Sequence, residues 1–346
     1  MRAAQVVQHG EPLDAVRVVE VPPPDVVPGS VLVRVATASL NFGDVARCRG
    51  GLASVMAQPP FTLGMDVCGT VDEAADGLEH WVGRRVVGIT SMAMGGLAEQ
   101  ALVPEASLFE APTELDDVRA AAFTLPFHVS YLGLVRRAAL RPGEHLLVVG
   151  AASAVGTAAV QLGVAQGASV IAAAGGSAKV QTCLDLGAAV GVDTTDEDLF
   201  DAVMAATGGR GADVVFDVVG GEATEAVWTC VASEGRYLPV GFNDDPEGGM
   251  TGRPLRKVSM GNFSVVGTLL AYNPPDPGLK RFGLNTVDPG VGQLVHQELR
   301  SLVAKGSVTP YVGRVVALDE VGQALQDHAA RLTTGRTVVQ VSGTQP

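Results

Sequence analysis

Short apolar runs alternate with helix-like segments through the middle of the chain, and this alternation restricts the fold more than any other feature. The runs are rich in Val, Leu, Ile and Ala, and turns containing Gly or polar residues follow them. Alternation of this kind is typical of βαβ units and predicts an α/β fold with a doubly wound parallel sheet. The predicted strands span residues 146–149, 170–173, 190–192, 214–218, 237–240 and 265–269.

The two ends of the chain have a different pattern. Residues 1–118 contain short β-branched runs separated by Pro and Gly, which is typical of an irregular antiparallel domain. A chain of 346 residues suits two domains at about 100–200 residues each. We therefore predict a β-rich domain of residues 1–118 and 271–346, with a dinucleotide-binding domain of residues 119–270 inserted. We also predict a helical region that is interrupted at Pro126. A long loop over 273–289 either covers the active site or has no role. After it we predict helices at 291–305 and 319–332 and strands at 312–317 and 337–341.

Charge and composition exclude several classes of partner. The chain carries 24 basic and 37 acidic residues, a net charge of −13, and no basic stripe, which argues against nucleic acid and anionic membranes. The uncharged residues 146–178 exceed the roughly 20 residues that span a bilayer, but Gly, Ser and Gln interrupt them at short intervals. That order predicts a strand, a helix and a second strand. Four widely spaced Cys and no evident signal peptide favour free thiols and a cytoplasmic protein.

The turn after the first predicted strand of the sheet resembles a dinucleotide-binding fingerprint. Aligned on its last glycine, the turn has Ala151, Ser153 and Gly156 where the fingerprint has three glycines. Small side chains let a pyrophosphate approach the backbone, and the helix start, with Ala154 and Val155, offers unpaired N–H groups. Close packing of the helix on the sheet would also explain the small residues.

The end of the second predicted strand indicates which cofactor the chain uses. Sites for NAD place an acid there to bind the ribose diol, yet no acid lies between Glu144 and Asp185. The strand ends instead in Gly175, a second Gly, Ser177 and Lys179, which suit a 2′-phosphate. We therefore predict NADP(H), against the alternative that Lys179 is a solvated residue at the start of a helix.

Several motifs in order over nearly the whole chain resemble the zinc-independent quinone oxidoreductase branch of the medium-chain dehydrogenase/reductase superfamily. They are PGSVLVRV from Pro28, LNFGD from Leu40, PFTLGMDVCGTV from Pro60, LPFHVS from Leu125, DVVFDVVGG from Asp213, GRYLPVGF from Gly235, and Lys305-Gly306, Pro310 and Gly335-Arg336 near the end. The resemblance implies a GroES-like β-rich domain around a Rossmann domain.

The resemblance also bears on metal binding. Zinc-dependent relatives have Cys where Asn41 stands and His-Glu where Met65 and Asp66 stand. Asn and Met are poor zinc ligands compared with thiolate and imidazole. Residues 86–98 contain no Cys, so the structural zinc lobe of those relatives is missing as well. We expect no metal.

The resemblance implies hydride transfer from NADPH to a quinone or an α,β-unsaturated carbonyl, with the proton coming from solvent or a nearby donor. In that family Asn41 and Ser130 lie beside the nicotinamide. The backbone of a third group of residues holds the carboxamide: Gly241, Phe242 and Gly267. Asp44 orients its neighbours in the site or, alternatively, caps a helix.

The sequence departs from the family at two places. No Tyr follows Arg49 and Gly50, so a Tyr-assisted step loses support and Tyr131 or His128 become substitutes. For His128 a structural role is the stronger alternative. Asp193 and Thr194 stand where relatives that use NADP(H) often have a Tyr near the adenosine phosphate.

Two other functions remain open. The LNFGDV segment from Leu40 also resembles enoyl-thioester reductase modules of polyketide synthases, so a substrate carried on CoA or a carrier protein is an alternative. A non-catalytic NADP(H)-binding protein with a structural or regulatory role is the other alternative, and the missing Tyr and the two missing fingerprint glycines motivate it. Because an exposed strand edge at 264–270 tends to be paired, we also expect a homodimer.

Overall fold

The computed structural model describes residues 1–51, 58–240, 256–281 and 283–341. The backbone divides into two compact units. The first comprises Met1–Leu125, Ala271–Arg300 and the described residues from Pro310 onward, and the second comprises the described residues of Pro126–Leu270 together with Ser301–Thr309.

The first unit is built mainly of antiparallel strands. Its strands are β1 (Arg2–Val6), β2 (Val16–Glu20), β3 (Ser30–Ser39), β4 (Phe61–Thr62), β5 (Asp66–Ala74), β6 (Arg85–Ile89), β7 (Gln100–Pro104), β8 (Leu108–Glu110), β15 (Val312–Ala317) and β16 (Arg336–Gln340). The helices that lie wholly within it are α1 (Pro12–Ala15), α2 (Phe42–Cys48), α3 (Asp117–Ala121), α10 (Pro277–Arg281) and α12 (Val321–Ala329).

Strand β3 organises the larger sheet of this unit. The sheet has seven strands in the order β15-β16-β3-β5-β6-β8, with β7 pairing to β3 off this path, and a second sheet has the order β2-β1-β4. Val31, Val33 and Val35 of β3 are completely buried, whereas Arg34 points to solvent and pairs with Asp72. The β-branched residues of β3 therefore fill the hydrophobic core of the first unit.

The second unit is a doubly wound parallel sheet. Its strands are β9 (His145–Val149), β10 (Ser169–Ala174), β11 (Val190–Asp193), β12 (Ala212–Asp217), β13 (Val231–Pro239) and β14 (Ser264–Val265), in the order β11-β10-β9-β12-β13-β14. All of their pairings are parallel. The helices are α5 (Ala154–Ala165), α6 (Ser177–Asp185), α7 (Leu199–Ala206), α8 (Thr224–Thr229) and α9 (Arg256–Gly261). The predicted α/β fold class is confirmed.

Relative to the first strand, β9, this order runs 3-2-1-4-5-6. The strands before and after this point are added on opposite sides, so the strand order reverses between β9 and β12. Ligands of such sheets bind at that point, outside the carboxyl ends of the strands. The central strands are hydrophobic on both faces, since Leu146, Leu147 and Val148 of β9 are completely buried. The carboxyl edge of β9, β10 and β12 is therefore where a dinucleotide is expected.

Three local predictions need correction. Pro126 does not interrupt a helix, because it lies in the first turn of α4 (Thr124–Tyr131), where a proline is tolerated, and a π-helical segment (Leu132–Arg137) follows. The last strand of the parallel sheet is two residues long rather than five. The predicted loop 273–289 contains the helix α10, and α11 (Pro289–Ala304) follows it.

The uncharged segment 146–178 forms β9, α5 and β10, as its interruptions predicted. Over the described residues, no helix has both the length and the apolar character that crossing a membrane requires.

Candidate functional site

The turn between β9 and α5 is shaped to bring backbone atoms to the surface of the second unit. Gly150 has φ +73°, a conformation that favours glycine, and a Cβ atom there would lie 2.7 Å from a methyl of Val218. The amides of Gly150 and Ala151 both donate to the carbonyl of Ala173, each at 3.0 Å. These bonds fix the turn against the end of β10.

The start of α5 provides donors for an anion. Ser153 is the N-cap residue, and its Oγ accepts from the amide of Gly156 at 3.0 Å. A Cβ atom on Gly156 would lie 2.6 Å from the carbonyl oxygen of Ala151, so the helix packs directly on the turn. The amides of Ala154 and Val155 lie in the first turn, where the helix supplies no partner. This geometry fits the pyrophosphate of a dinucleotide.

Two more of the predicted cofactor-binding residues lie in the second unit, and each forms a hydrogen bond there. Ser130 of α4 is completely buried, and its Oγ donates to the carbonyl of Val155 at 3.3 Å, so Ser130 packs against the start of α5. The carbonyl of Gly267 accepts from Nε of Arg137 at 3.0 Å. The predicted carboxamide residues Gly241 and Phe242 lie outside the described residues.

Helix α6 begins directly after the turn that follows β10. Gly176 is its N-cap residue with φ +97°, and Ser177 is its first residue. Gly175 and Ser177 are exposed, and Lys179 is half-buried. The amide of Gly176 donates to Oδ1 of Asp193, at the end of the neighbouring strand β11, at 2.8 Å.

Asp217, which the sequence analysis did not single out, organises the next turn along this edge. It ends β12 and is completely buried. Its Oδ1 accepts from the amides of Val219 and Gly220 at 2.9 and 3.0 Å, and its Oδ2 accepts from the hydroxyl of Tyr237 at 2.7 Å. These bonds hold the Val218–Val219 turn against Gly150, so Asp217 supports the turn between β9 and α5. In the sequence, the position of Asp217 directly after an apolar run is the feature that could have identified it.

In the first unit, Asp44 caps the helix that follows Asn41. Asn41 is extended and precedes α2, and its amide donates to Oδ2 of Asp44 at 2.9 Å. Oδ1 of Asp44 accepts from the amide of Gly64 at 3.3 Å and lies 3.8 Å from Nη1 of Arg47. Complete burial raises the pKa of the Asp44 carboxyl, and Arg47 and the two amides oppose that rise. The carboxyl therefore orients the backbone around Asn41.

The side chain of Asn41 belongs to a buried network with Asp66 and Arg336. Nη1 of Arg336 donates to Oδ1 of Asn41 at 2.8 Å, and Nη2 donates to both carboxylate oxygens of Asp66 at 2.7 Å. Nδ2 of Asn41 donates to Oδ1 of Asp66 at 3.0 Å and to the carbonyl of Ser39 at 3.3 Å. Both N–H bonds of the amide are thus committed, which leaves a lone pair of Oδ1 to accept from a ligand.

The network bears directly on zinc, because Asn41 and Asp66 stand at positions where zinc-dependent relatives have ligand-bearing residues. Here a guanidinium cation that is 2% exposed already bonds to both side chains. Across the ranges that the structure describes, no group of three or more His, Cys, Asp or Glu side chains is placed to hold a metal ion. The donor set therefore does not fit a zinc ion.

Arg336 is the residue of this network that sequence reasoning missed. In the sequence it stands only within the Gly335-Arg336 motif, and a basic residue at the start of an apolar strand has many possible roles. Its partner Asp66 lies 270 positions away in sequence, so no local pattern connects the two.

A β-rich unit with a buried polar site, and a doubly wound unit with a dinucleotide turn, together define a class of nucleotide-dependent dehydrogenases and reductases. Two family models match the chain: the alcohol dehydrogenase GroES-like domain over residues 27–113, and the zinc-binding dehydrogenase over residues 154–277.

Individual relatives agree with these matches. The chain is 31% identical over 315 residues to a quinone oxidoreductase-like protein 2 homolog of Nematostella vectensis, covering 90% of this chain and 82% of that protein. It is 28% identical over 348 residues to a phenolphthiocerol/phthiocerol polyketide synthase of Mycobacterium tuberculosis, covering 98% of this chain and 15% of that protein. The crystal structure of Escherichia coli quinone oxidoreductase complexed with NADPH superposes with a TM-score of 0.84 at 25% identity, covering 98% and 100% of the two chains.

The chain belongs to the quinone oxidoreductase-like branch of the medium-chain dehydrogenase/reductase superfamily. The resemblance drawn from the sequence motifs is thereby confirmed, and the protein is an oxidoreductase of the medium-chain type.

The buried network predicts a large stability effect at Asp66. Replacing Asp66 by Ala leaves the Arg336 guanidinium buried without its counter-ion, and loss of one partner of a buried pair costs about 3–5 kcal/mol. Asp72→Ala is the matched control, because it breaks the exposed pair with Arg34 in the same unit and should cost about 0–1 kcal/mol. Urea unfolding of both variants measures the difference. Equal losses would show that the buried network does not stabilise the unit.

Proposed function

We propose that this protein is an NADPH-dependent oxidoreductase that transfers hydride to a quinone or an α,β-unsaturated carbonyl without a metal. The observation that carries the proposal is the network of Asn41, Asp66 and Arg336, which commits the residues at the zinc-ligand positions to a guanidinium. Without a Lewis acid, a substrate that conjugation already activates is the most suitable acceptor. The relatives named as quinone oxidoreductases support the same substrate class.

The cofactor proposal rests on the carboxyl edge of the parallel sheet. The first turn of α5, with Ser153, Ala154, Val155 and Gly156, would bind the pyrophosphate, and Ser177 and Lys179 would bind the 2′-phosphate. The bound cofactor supplies a hydride. The solved Escherichia coli relative was complexed with NADPH, which supports NADP(H) over NAD(H).

Asn41 and Ser130 are proposed to lie beside the nicotinamide. Because both N–H bonds of the Asn41 amide are committed, we assign this residue the role of accepting a hydrogen bond through Oδ1. Asp44 supports Asn41 through its backbone amide rather than by transferring a proton. The proton that completes the reduction would come from solvent or from a nearby donor.

A thioester substrate is the second candidate. The chain aligns over 98% of its length with a polyketide synthase, which favours an enoyl group carried on CoA or a carrier protein. A protein that binds NADP(H) without turnover is the remaining alternative.

A turnover assay separates these three functions. The purified protein is incubated with NADPH and, in turn, a benzoquinone, a naphthoquinone, a free enone and its CoA ester, and NADPH absorbance is followed. We expect oxidation with the quinones or the free enone. Ser153→Asp is the control: Asp is as good an N-cap as Ser, so the variant should fold, while its charge repels the pyrophosphate and should abolish turnover.

Activity with the CoA ester alone would replace the first candidate by the thioester reductase. Binding of NADPH with no turnover on any acceptor would leave the non-catalytic function and contradict the proposal.

Lys179 should set much of the preference for NADPH. A charge-assisted hydrogen bond contributes about 1.5–3 kcal/mol, or roughly 10- to 100-fold in affinity, and less in salt. Lys179→Ala should therefore weaken NADPH and leave NADH unchanged, and Ser177→Asp should weaken NADPH further. Lys257→Ala is the control, because Lys257 of α9 pairs with Glu225 elsewhere on the same unit. Titration of both cofactors decides the matter, and equal weakening of both by Lys179→Ala would contradict the assignment.

We propose a homodimer that pairs through β14. This strand pairs only with β13 among the described residues, both of its residues are exposed, and Met260 and Leu269 nearby are 79% and 43% exposed. Light scattering should give twice the mass of one chain, and Val265→Lys should give the single-chain mass. Phe200→Lys, a control at an exposed apolar residue of α7, should leave the dimer intact. A single-chain mass for the unmodified protein would contradict the proposal.

We also propose a cytoplasmic location. All four Cys are buried and free, and burial raises the pKa of the Cys48 and Cys68 thiols to about 12. Protonated, unpaired thiols suit a reducing compartment.

A further inference from the structure

Strand β10 has no acidic residue at its carboxyl end, but the neighbouring strand β11 ends in one. The two strands are parallel, and their register pairs Ala174, the last residue of β10, with Asp193, the last residue of β11. The sequence between Glu144 and Asp185 contains no acid, so the carboxylate at this edge comes from β11 and not from β10.

Asp193 is held in place by the turn that follows β10 and by its own turn. Oδ1 of Asp193 accepts from the amide of Gly176 at 2.8 Å, from the amide of Thr195 at 3.0 Å and from the hydroxyl of Thr195 at 2.6 Å. These bonds, the Thr195 hydroxyl first, lower the pKa of Asp193. The carboxylate is therefore ionised at neutral pH and fixed beside Gly176.

The carboxylate of Glu197 lies beside the backbone of Asp193. The amide of Asp193 donates to Oε1 of Glu197 at 2.8 Å. The side chains of Thr194 and Thr195 lie 3.8 and 3.6 Å from the position of a Cβ atom on Gly175. The turn after β11 thus packs against the Gly175–Gly176 turn and presents negative charge there.

This location matters because the ribose that carries the 2′-substituent binds at the end of the second strand of a doubly wound sheet. A 2′-phosphate carries close to two negative charges and binds best to free amides and cations. At this edge, Lys179 and Ser177 favour the phosphate. The amide of Gly176, which would otherwise be a donor to it, is already bonded to a carboxylate.

We propose that Asp193 is a specificity-determining residue that opposes the 2′-phosphate and so reduces the difference between the affinities for NADPH and NADH. The inference rests on the proposed function and deepens it. Lys179 and Asp193 act in opposite directions on one group of the cofactor, so the measured preference for NADPH is smaller than Lys179 alone would produce.

Asp193→Asn tests this directly, because it keeps an oxygen that accepts from Gly176 and removes the charge. Two like charges several ångströms apart at a protein surface, screened by salt, repel enough to change affinity about 3- to 10-fold at moderate ionic strength. We expect NADPH to bind tighter by that factor and NADH to stay within about twofold. Titrations with adenosine 2′,5′-bisphosphate and with AMP should show the same difference without the nicotinamide.

Asp196→Asn is the matched control. It removes the same charge three residues away, on an exposed residue whose amide, not its carboxylate, bonds to Asp193. It should leave the ratio of the two affinities nearly unchanged, and raising the salt concentration should reduce the effect of Asp193→Asn. Asp193→Ser, which retains a hydroxyl acceptor without charge, serves if thermal unfolding shows that the Asn variant is destabilised.

The inference is overturned if Asp193→Asn weakens NADPH, changes both cofactors equally, or has the same effect as Asp196→Asn. Lys179→Ala in the same titrations keeps the two proposals apart. If it removes the NADPH preference while the Asp193 variants change nothing, the cofactor proposal stands and this inference is wrong. If no cofactor or fragment binds any variant, both are wrong.

Discussion

The ion pair between Arg336 and Asp66, extended to Asn41, is the interaction on which the polar site of the first unit depends. It joins the start of β16, the start of β5 and the residue before α2, all in a buried setting. A buried pair of this kind gains little over a well-packed apolar core, because desolvation of both charges offsets their attraction. Its value lies in orientation: it fixes the Asn41 amide so that a single acceptor position remains.

That orientation determines the chemistry we propose. The guanidinium of Arg336 supplies positive charge beside Asn41 and Asp66, but its Nη1 and Nη2 groups already donate to these side chains and its Nε is buried. Strong polarisation of an isolated carbonyl is therefore not available from these residues. A conjugated acceptor needs less activation. In the second unit, Ser153 and Asp217 hold the turns at the carboxyl edge of the sheet where we propose that the pyrophosphate binds.

The sequence predicted the fold well because its signals are local. The predicted strand at 312–317 begins and ends where β15 does, since β-branched residues are frequent in it and turns bound it. Prediction was poorer at Pro126, where the first turn of a helix tolerates proline, and at β14, where an apolar run is longer than the strand. The contacts of Arg336 with Asp66 and of Asp193 with Gly176 join distant positions, and only strand pairing creates them.

The metal content of the purified protein tests the central claim most directly. Elemental analysis of protein prepared without chelator, compared with protein dialysed against EDTA, measures zinc per chain, and turnover with the best acceptor is measured on both samples. The account predicts far less than one zinc per chain and equal turnover in the two samples. One tightly held zinc per chain, with activity lost on its removal, would contradict it.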